Sequence, residues 1–247
     1  MPRSFKIFIL FFMTAVSAAL INSKEPSAPW GVGEKLTFSI RWGIITCGYA
    51  HMEVKEQVRL ADKEAYRIVT TARSAAFFDP FYKVRDRIES YIDASLMRTM
   101  RYEKVQREGS YKKDITIIYD HEHGVAYENG HKFEITESVQ DVLSALYYLR
   151  TKELEVGKKF EFDVGTGKKN WPMEVEVIRK ERIKVPAGEF DTFMVIPRLR
   201  EEGIFKAKGE LWVWLTDDER KYPVKMQSKI EIGSISALLI KKKLSKK

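Results

Sequence analysis

The chain has 247 residues, of which 44% are hydrophobic and 32% are charged, so it has enough apolar side chains for a sizeable core. This balance excludes a disordered or collagen-like chain. The single cysteine, Cys47, excludes an intrachain disulfide and therefore a disulfide scaffold. The 43 basic and 35 acidic residues are mixed along the whole length, so the net charge of +8 forms no basic stripe of the kind that binds nucleic acid.

The first residues predict an export signal. Arg3 and Lys6 precede an apolar stretch at residues 7–20, and small residues lie near its end. We therefore predict a cleavable signal peptide over residues 1–18, a linker over residues 19–30 and a periplasmic location. A membrane-spanning helix needs about 20 apolar residues, so no transmembrane span is expected after cleavage. An uncleaved anchor is the alternative interpretation.

Alternation of apolar and polar residues is the main pattern from residue 31 to residue 240. Leu36, Phe38 and Ile40 share one side of a predicted strand, and polar residues occupy the other side. Strands are predicted near residues 35–42, 48–58, 65–73, 83–92, 99–108, 111–120, 124–128, 131–135, 159–164, 172–183, 190–198, 204–216, 222–232 and 234–241. Turn residues separate them at intervals that favour antiparallel hairpins over alternating strands and helices.

One segment, at residues 138–150, has apolar residues at helical spacing. Ser138 and Asp141 are placed as a capping pair at its N-terminus. The predicted fold class is therefore mainly β: a curved antiparallel sheet, or a half-open barrel or sandwich, packed on one amphipathic helix in a single domain over residues 31–240. The lysine-rich tail at residues 241–247 is either attracted to an anionic envelope surface or is a solvated terminus.

Three strings resemble functional motifs without the context that those motifs need. The Ser-x-x-Lys string at residues 110–113 enters a predicted strand, where residues three apart face opposite sides, whereas the serine enzymes that use it place it on a helix. His121, His123 and His131 are conceivable metal ligands, but a fixed fourth ligand is missing and a solvated loop is favoured. The glycine loop at residues 165–169 lacks the full phosphate-binding pattern. We predict no catalytic residue, no metal ligand and no cofactor.

A weak ligand site is predicted from aromatic residues and one carboxylate. Asp86 shares the apolar side of a strand, which favours either an ion pair with Arg73 or an acid that polarises a ligand. The aromatic cluster at residues 77–82 either closes the mouth of the curved sheet or lines an apolar pocket. The predicted ligand-binding residues are Trp42, Phe78, Phe81, Asp86 and Tyr147.

Several strings together resemble one bacterial family. They are GEKLTF at 33–38, VRDRIESY at 84–91, QDVLSALYYLR at 140–150, VPAGEF at 185–190, GIFK at 203–206, LWVWL at 211–215, RKYPV at 220–224 and IGSI at 232–235. This set resembles the bacterial domain of unknown function 3108 family over nearly the whole mature chain. The resemblance implies an exported, β-rich envelope protein without agreed catalytic residues, and its outline is similar to that of half-barrel carriers of lipoproteins and lipids.

Three functional hypotheses follow. The first is a non-enzymatic exported protein that holds a lipid or another apolar ligand in the concavity of its sheet, with the helix as a plug or lid. The second is a structural or assembly module of the envelope whose interior is filled by its own side chains. The third is a hydrolase that uses Asp86 or the histidines. The expected partners are a lipid or an envelope surface, with no nucleic acid.

Overall fold

The computed structural model describes residues 28–199, 211–229 and 233–245. The predicted signal peptide lies outside these residues, as do most of the predicted linker, the start of the strand near 204–216, the end of the strand near 222–232 and residues 246–247. The first eight strands are Lys35–Trp42 (β1), Ile45–Leu60 (β2), Lys63–Ser74 (β3), Arg85–Asp93 (β4), Thr99–Glu108 (β5), Tyr111–Asp120 (β6), Val125–Glu128 (β7) and His131–Glu134 (β8). One helix, Ser144–Arg150 (α1), then precedes Lys159–Thr166 (β9), Lys169–Val185 (β10), Gly188–Leu199 (β11), Leu211–Thr216 (β12), Pro223–Lys229 (β13) and Ser234–Lys243 (β14).

The fourteen strands form one open antiparallel sheet. Their order across the sheet is β8-β7-β6-β5-β4-β3-β2-β1-β14-β13-β12-β11-β10-β9, so two runs of sequential hairpins meet where β1 pairs with β14. The predicted mainly β fold class is therefore confirmed as an open antiparallel sheet with one short helix. The β1–β14 pairing, which joins the two ends of the domain, was not part of the prediction.

The turn between β7 and β8 shows why the sequence forms hairpins. Asn129 and Gly130 both have positive φ angles, 47° and 86°, as a two-residue turn of type I′ requires. The Asn129 side chain accepts a hydrogen bond from the backbone N–H of Thr116 and donates one to the carbonyl of Asp114. The predicted turn is therefore also fixed to the neighbouring strand β6.

The helix is shorter than predicted, and its cap lies three residues further along. Residues 138–150 were predicted to be helical, but α1 covers only Ser144–Arg150. Asp141 Oδ1 accepts hydrogen bonds from the backbone N–H groups of Leu143 and Ser144, and Ser144 Oγ accepts one from the N–H of Asp141. These bonds form a reciprocal capping arrangement, so Asp141 and Ser144 take the role that was assigned to Ser138 and Asp141. The preceding residue, Gln140, is instead bonded to β9 through the Asp163 carbonyl and the Gly165 N–H.

The helix contributes apolar side chains to two hydrophobic clusters of the core. Tyr147, with Leu143 just before the helix, belongs to a cluster with residues of β1–β4 and β10–β14, whereas Ala145 and Leu149 belong to one with residues of β9–β12. This distribution follows from helical spacing, because residues three or four apart share a face. A third cluster contains residues of β5–β8 together with Val139.

Strand β14 continues into the predicted basic tail. Lys241 and Lys243 pair with Thr37 and Lys35 of β1, so these lysines lie within the sheet. In the part of the chain that the structure describes, no helix is both long and apolar enough to cross a membrane.

Candidate functional site

An apolar hollow lies between α1 and the half of the sheet formed by β9–β13. Its volume is about 150 Å³, and all twelve residues that line it are apolar. On this side the hollow is lined by Ala145, Leu146 and Leu149 of the helix and by Val142, two residues before its start. These residues are spaced by three, one and three positions and form one stripe. The helix stripe therefore forms one wall of the hollow.

The opposite wall comes from alternate residues of neighbouring strands. Met173 and Val175 lie two residues apart on β10, so their side chains point to the same face of the sheet. Phe162, which is paired with Met173 across the β9–β10 ladder, and Val213 of β12 complete the same surface. This alternation was part of the strand prediction, but nothing in the sequence indicated that these strands would face the helix across a gap.

The size of the hollow limits what it can enclose. Sites that enclose a drug-sized molecule have volumes of about 300–1,000 Å³, so this hollow is too small for a whole lipid. A dry apolar cavity of about 150 Å³ accepts a group the size of benzene. The hollow therefore matches a short hydrocarbon segment, such as one end of an acyl chain.

The other side of the helix is filled by the protein's own side chains. Tyr147 is fully buried and packs edge-to-face against Trp30, with their ring centroids 4.9 Å apart. Burial raises the pKa of the Tyr147 phenol. Tyr147 was predicted to bind a ligand, but here it is packed between Trp30 and Arg150 and does not line the hollow.

A buried ion pair fixes the C-terminal end of the helix. Arg150 donates two hydrogen bonds to the Glu34 carboxylate, at 2.8 and 2.9 Å, and both side chains are at most 1% exposed. The guanidinium also lies 5.1 Å from the ring centroid of Trp30 and donates to the carbonyl of Arg220. This bidentate geometry compensates for the loss of hydration of both charges. Sequence reasoning missed the pair because its two residues are 116 positions apart.

A second buried polar cluster surrounds the start of the helix. Asp141 Oδ2 accepts hydrogen bonds from the hydroxyls of Ser90 and Thr99, at 2.5 and 3.1 Å. Burial raises the pKa of Asp141, although the hydrogen bonds from Ser90, Ser144, Leu143 and Thr99 oppose this shift. The cluster contains hydroxyls and a carboxylate, but the carboxylate is completely buried and already caps the helix. The cluster therefore stabilises the fold and does not form a reactive site.

The predicted ligand residues are dispersed. Trp42 is 49% exposed at the end of β1, Phe81 is 78% exposed in the loop between β3 and β4, and Phe78 of the same loop is half-buried. None of these aromatics lines the apolar hollow. One of the two interpretations of the 77–82 cluster, closure of the core at the mouth of the sheet, is wrong for Phe77 and Phe81, because both side chains are mostly exposed to solvent.

Asp86 does not form the expected ion pair with Arg73. In the β3–β4 ladder Asp86 lies opposite Ala72, so Arg73 projects from the other face of the sheet. Asp86 Oδ1 instead accepts a hydrogen bond from the backbone N–H of Arg107 at 2.8 Å. Burial and the adjacent Glu108 carboxyl raise the pKa of Asp86. The result is a pair of carboxyl groups that contact each other.

His121 and His123 contact different partners and do not share a site. His121 Nε2 lies 2.6 Å from the carbonyl oxygen of Thr99, and burial lowers the pKa of His121. His123 Nδ1 lies 2.7 Å from Asp120 Oδ2. Among the described residues, no group of three or more histidine, cysteine or acidic side chains is arranged to hold a metal ion.

A polar groove of about 300 Å³ lies beside β9 and β10. Thr136, Ser138, Glu161 and Asp163 contribute its polar side chains. Glu161 and Asp163 alternate with Phe162, so they face away from the apolar hollow. The residues lining this groove include no histidine, cysteine or lysine.

Comparison with known proteins identifies first the class of fold and then the family. A crystal structure from Brucella abortus, described as a β-barrel-like protein of domain of unknown function DUF1849, has a TM-score of 0.61 at 11% identity, with 88% of this chain and 99% of that chain covered. This likeness shows a β-barrel-like fold. The family described as protein of unknown function (DUF3108) matches residues 37–240, and the chain belongs to that family, as the sequence strings predicted.

Two further solved structures resemble the chain more distantly. A candidate lipoprotein of Parabacteroides distasonis has a TM-score of 0.38 at 11% identity, with 87% of this chain and 97% of that chain covered. A candidate exported protein of Bacteroides fragilis has a TM-score of 0.41 at 13% identity, with the same two shares covered. No curated protein matches the sequence.

Proposed function

We propose that the protein is a non-enzymatic, exported envelope protein that holds the hydrocarbon end of a lipid or a related apolar molecule in the hollow under its helix. The main support for this proposal is the hollow, which has a volume of about 150 Å³ and is lined entirely by apolar side chains. An apolar cavity of this size favours a hydrocarbon group over water, which needs polar partners. The rest of such a ligand lies outside the hollow, where its polar group stays in water.

The helix acts in this proposal as the wall that covers the ligand. Ala145, Leu146 and Leu149 of the helix face the hollow, while Arg150 and Tyr147 hold the opposite side of the helix in the core. Because the helix is fixed by the Glu34 ion pair and by the Asp141 cap, the hollow is largely preformed. A preformed site loses little conformational entropy when the ligand binds.

A structural or assembly module is the second candidate. This candidate is favoured by the packing on the side of α1 that faces away from the hollow. There Tyr147, Trp30 and the Glu34–Arg150 ion pair fill the space between the helix and the sheet. On this hypothesis the hollow is a packing defect without a ligand. The two candidates differ in whether a hydrocarbon is retained by the native protein.

Mass spectrometry of solvent extracts separates the two candidates. The protein is purified after export without detergent, denatured, and extracted with chloroform and methanol. We expect a lipid or fatty acid in a reproducible molar ratio to the protein, and a reduced ratio in an Ala145→Leu variant, whose larger side chain fills the hollow. Extracts that are empty in repeated preparations would favour the structural module. Equal loading of the variant would show that the lipid is bound outside the hollow and would overturn the proposed site.

A further inference from the structure

One end of the sheet carries a group of exposed apolar side chains, here called the apolar rim. Antiparallel order places the β1–β2 turn, the β3–β4 loop and the β5–β6 turn at the same end of the sheet. The apolar rim consists of Ile44, Ile45, Phe77, Phe81, Tyr82 and Tyr111. These residues come from three neighbouring connections, so they form one surface.

The exposure of the apolar rim is large for side chains of this type. Ile44 is 95% exposed, Phe81 is 78% exposed and Phe77 is 74% exposed. The rings of Phe77 and Phe81 lie 6.2 Å apart, so the exposed surface is continuous within the loop. Scattered apolar residues are ordinary on a soluble protein, whereas a contiguous cluster indicates a surface that binds something apolar.

The β3–β4 loop that presents the two phenylalanines satisfies several of its own polar groups. The backbone N–H of Phe78 donates to the Ala75 carbonyl, and that of Tyr82 donates to the Phe78 carbonyl. Asp79 accepts hydrogen bonds from Ser74 and Arg85, so its charge is paired within the loop. These bonds fix the shape of the loop, so its aromatic side chains can reach the headgroup region while the remaining polar groups of the backbone stay in water.

Hydrogen bonds on both sides hold this loop in the rim. The N–H of Ala75 donates to the Cys47 carbonyl of β2, and the N–H of Gly109 in the β5–β6 turn donates to the Lys83 carbonyl. The position of Gly109 also brings its backbone against the Tyr82 ring, where a Cβ atom would lie 3.1 Å from the ring. The three connections therefore present the aromatic rings on one braced surface.

Basic side chains outnumber unpaired acidic ones beside the apolar rim. Lys83, Lys112 and Lys113 are exposed in or next to these connections. The nearby acids Asp79 and Asp114 are each engaged by an arginine, and the Asp86–Glu108 carboxyl pair lies beside Tyr82. Lysines close to an anionic lipid surface favour binding to it. The surroundings of the apolar rim are therefore complementary to anionic lipid headgroups.

We propose that the apolar rim docks this protein onto an anionic membrane surface. The phenylalanine, tyrosine and isoleucine side chains enter the boundary between headgroups and acyl chains, where aromatic residues are favoured. The neighbouring lysines contact the phosphate groups. This proposal does not depend on the hollow, although Pro197 and Leu211, which line the hollow, lie at the same end of the sheet.

Vesicle flotation tests the proposal with a matched pair of double variants. The exported protein, with its N-terminus verified by mass spectrometry, is mixed with vesicles of phosphatidylglycerol and phosphatidylcholine or of phosphatidylcholine alone. Phe77→Ser/Phe81→Ser removes the two most exposed aromatic rings of the rim. The control, Leu96→Ser/Val156→Ser, replaces two apolar residues that are 57% and 55% exposed outside the rim.

We expect the unmodified protein and the control to float with the phosphatidylglycerol vesicles. The rim variant should bind at least about tenfold more weakly, because the two serines bury much less apolar surface in the membrane than the phenylalanines do. A Lys112→Gln/Lys113→Gln variant should bind more weakly at low salt and lose part of its salt dependence. The proposal is overturned if the rim variant binds as well as the control. It is also overturned if the rim variant only abolishes self-association in size-exclusion chromatography and no form binds vesicles. Ala145→Leu is expected to leave flotation unchanged, which separates this test from that of the hollow.

Discussion

Replacing Arg150 with methionine is expected to destabilise the protein by about 3–5 kcal/mol, because it leaves the Glu34 carboxylate buried without a counter-charge. Glu34 is 1% exposed, and its two oxygens receive hydrogen bonds from Arg150 at 2.8 and 2.9 Å. Methionine retains the apolar part of the side chain but removes both bonds and the charge. The Arg150 bond to the Arg220 carbonyl is lost as well.

The expected loss is a large share of the whole stability. Folded domains have free energies of unfolding of about 5–15 kcal/mol, so the single variant should unfold at a clearly lower urea concentration. A double variant, Glu34→Gln/Arg150→Met, removes both charges. It should be more stable than Arg150→Met alone, because the cost of an unpaired buried carboxylate disappears.

Urea denaturation monitored by circular dichroism and tryptophan fluorescence measures this effect. The unmodified protein, Arg150→Met, Glu34→Gln and the double variant form a double-mutant cycle, and we expect a coupling energy of about 2–3 kcal/mol. A matched control, Lys159→Met, removes one partner of the exposed Lys159–Glu174 ion pair and should change stability by less than about 1 kcal/mol. The reasoning is refuted if Arg150→Met costs no more than the Lys159→Met control.

Three further predictions concern packing and pH. Gly48→Ala should cost about 1–3 kcal/mol in urea denaturation, because the new methyl group overlaps the backbone carbonyl oxygen of Arg73, and an unchanged midpoint would contradict this contact. Ala145→Leu should change the free energy of unfolding by less than about 1 kcal/mol, because the hollow accepts the added atoms. Ala126→Leu, in the third hydrophobic cluster, should cost about 1–3 kcal/mol, because no such space is available there. Equal losses of stability in the two variants would argue against the hollow. Burial raises the pKa of Asp141, so folding favours the protonated carboxyl. The contribution of Asp141 to stability is therefore fully present at pH values below the ordinary carboxyl pKa of about 3.9, and it is lost as the pH rises through the raised pKa. Asp141→Asn should therefore gain stability relative to the unmodified protein as the pH rises from about 4 towards neutrality, and a constant difference across that range in urea midpoints would refute the assignment.

The strands were predictable because alternation is a local signal. Leu36 and Phe38 share one face of β1 in the sequence pattern, and both are fully buried in the structure. The pairing of β1 with β14 was not predictable, since it joins residues about 200 positions apart and no local pattern specifies the partner of a terminal strand. The helix was placed correctly but made too long. Val139 fits helical spacing, but its carbonyl accepts a hydrogen bond from Thr99 of β5, and the next residue, Gln140, pairs with Val164 of β9.

The candidate site was less predictable than the fold. The helix stripe that lines the hollow could be read from the sequence, because Val142 and Leu146 recur at helical spacing. The facing residues, such as Met173 and Val213, looked like ordinary core positions, since a gap between two apolar surfaces leaves no trace in a hydrophobic pattern. The prediction failed for the exposed aromatic residues because their side chains are of a type that is usually buried. Phe81, for example, lies in a loop and is exposed to solvent.

Calorimetric titration with dodecanoic acid tests the central claim most directly. The unmodified protein, after delipidation, is compared with Ala145→Leu and with Ala126→Leu under identical conditions. We expect saturable binding near one equivalent, about tenfold or more weaker in Ala145→Leu because one wall of the hollow is filled, and unchanged in Ala126→Leu. Absence of saturable binding to the unmodified protein, or equal binding by both variants, would contradict the assignment of the hollow as a hydrocarbon site.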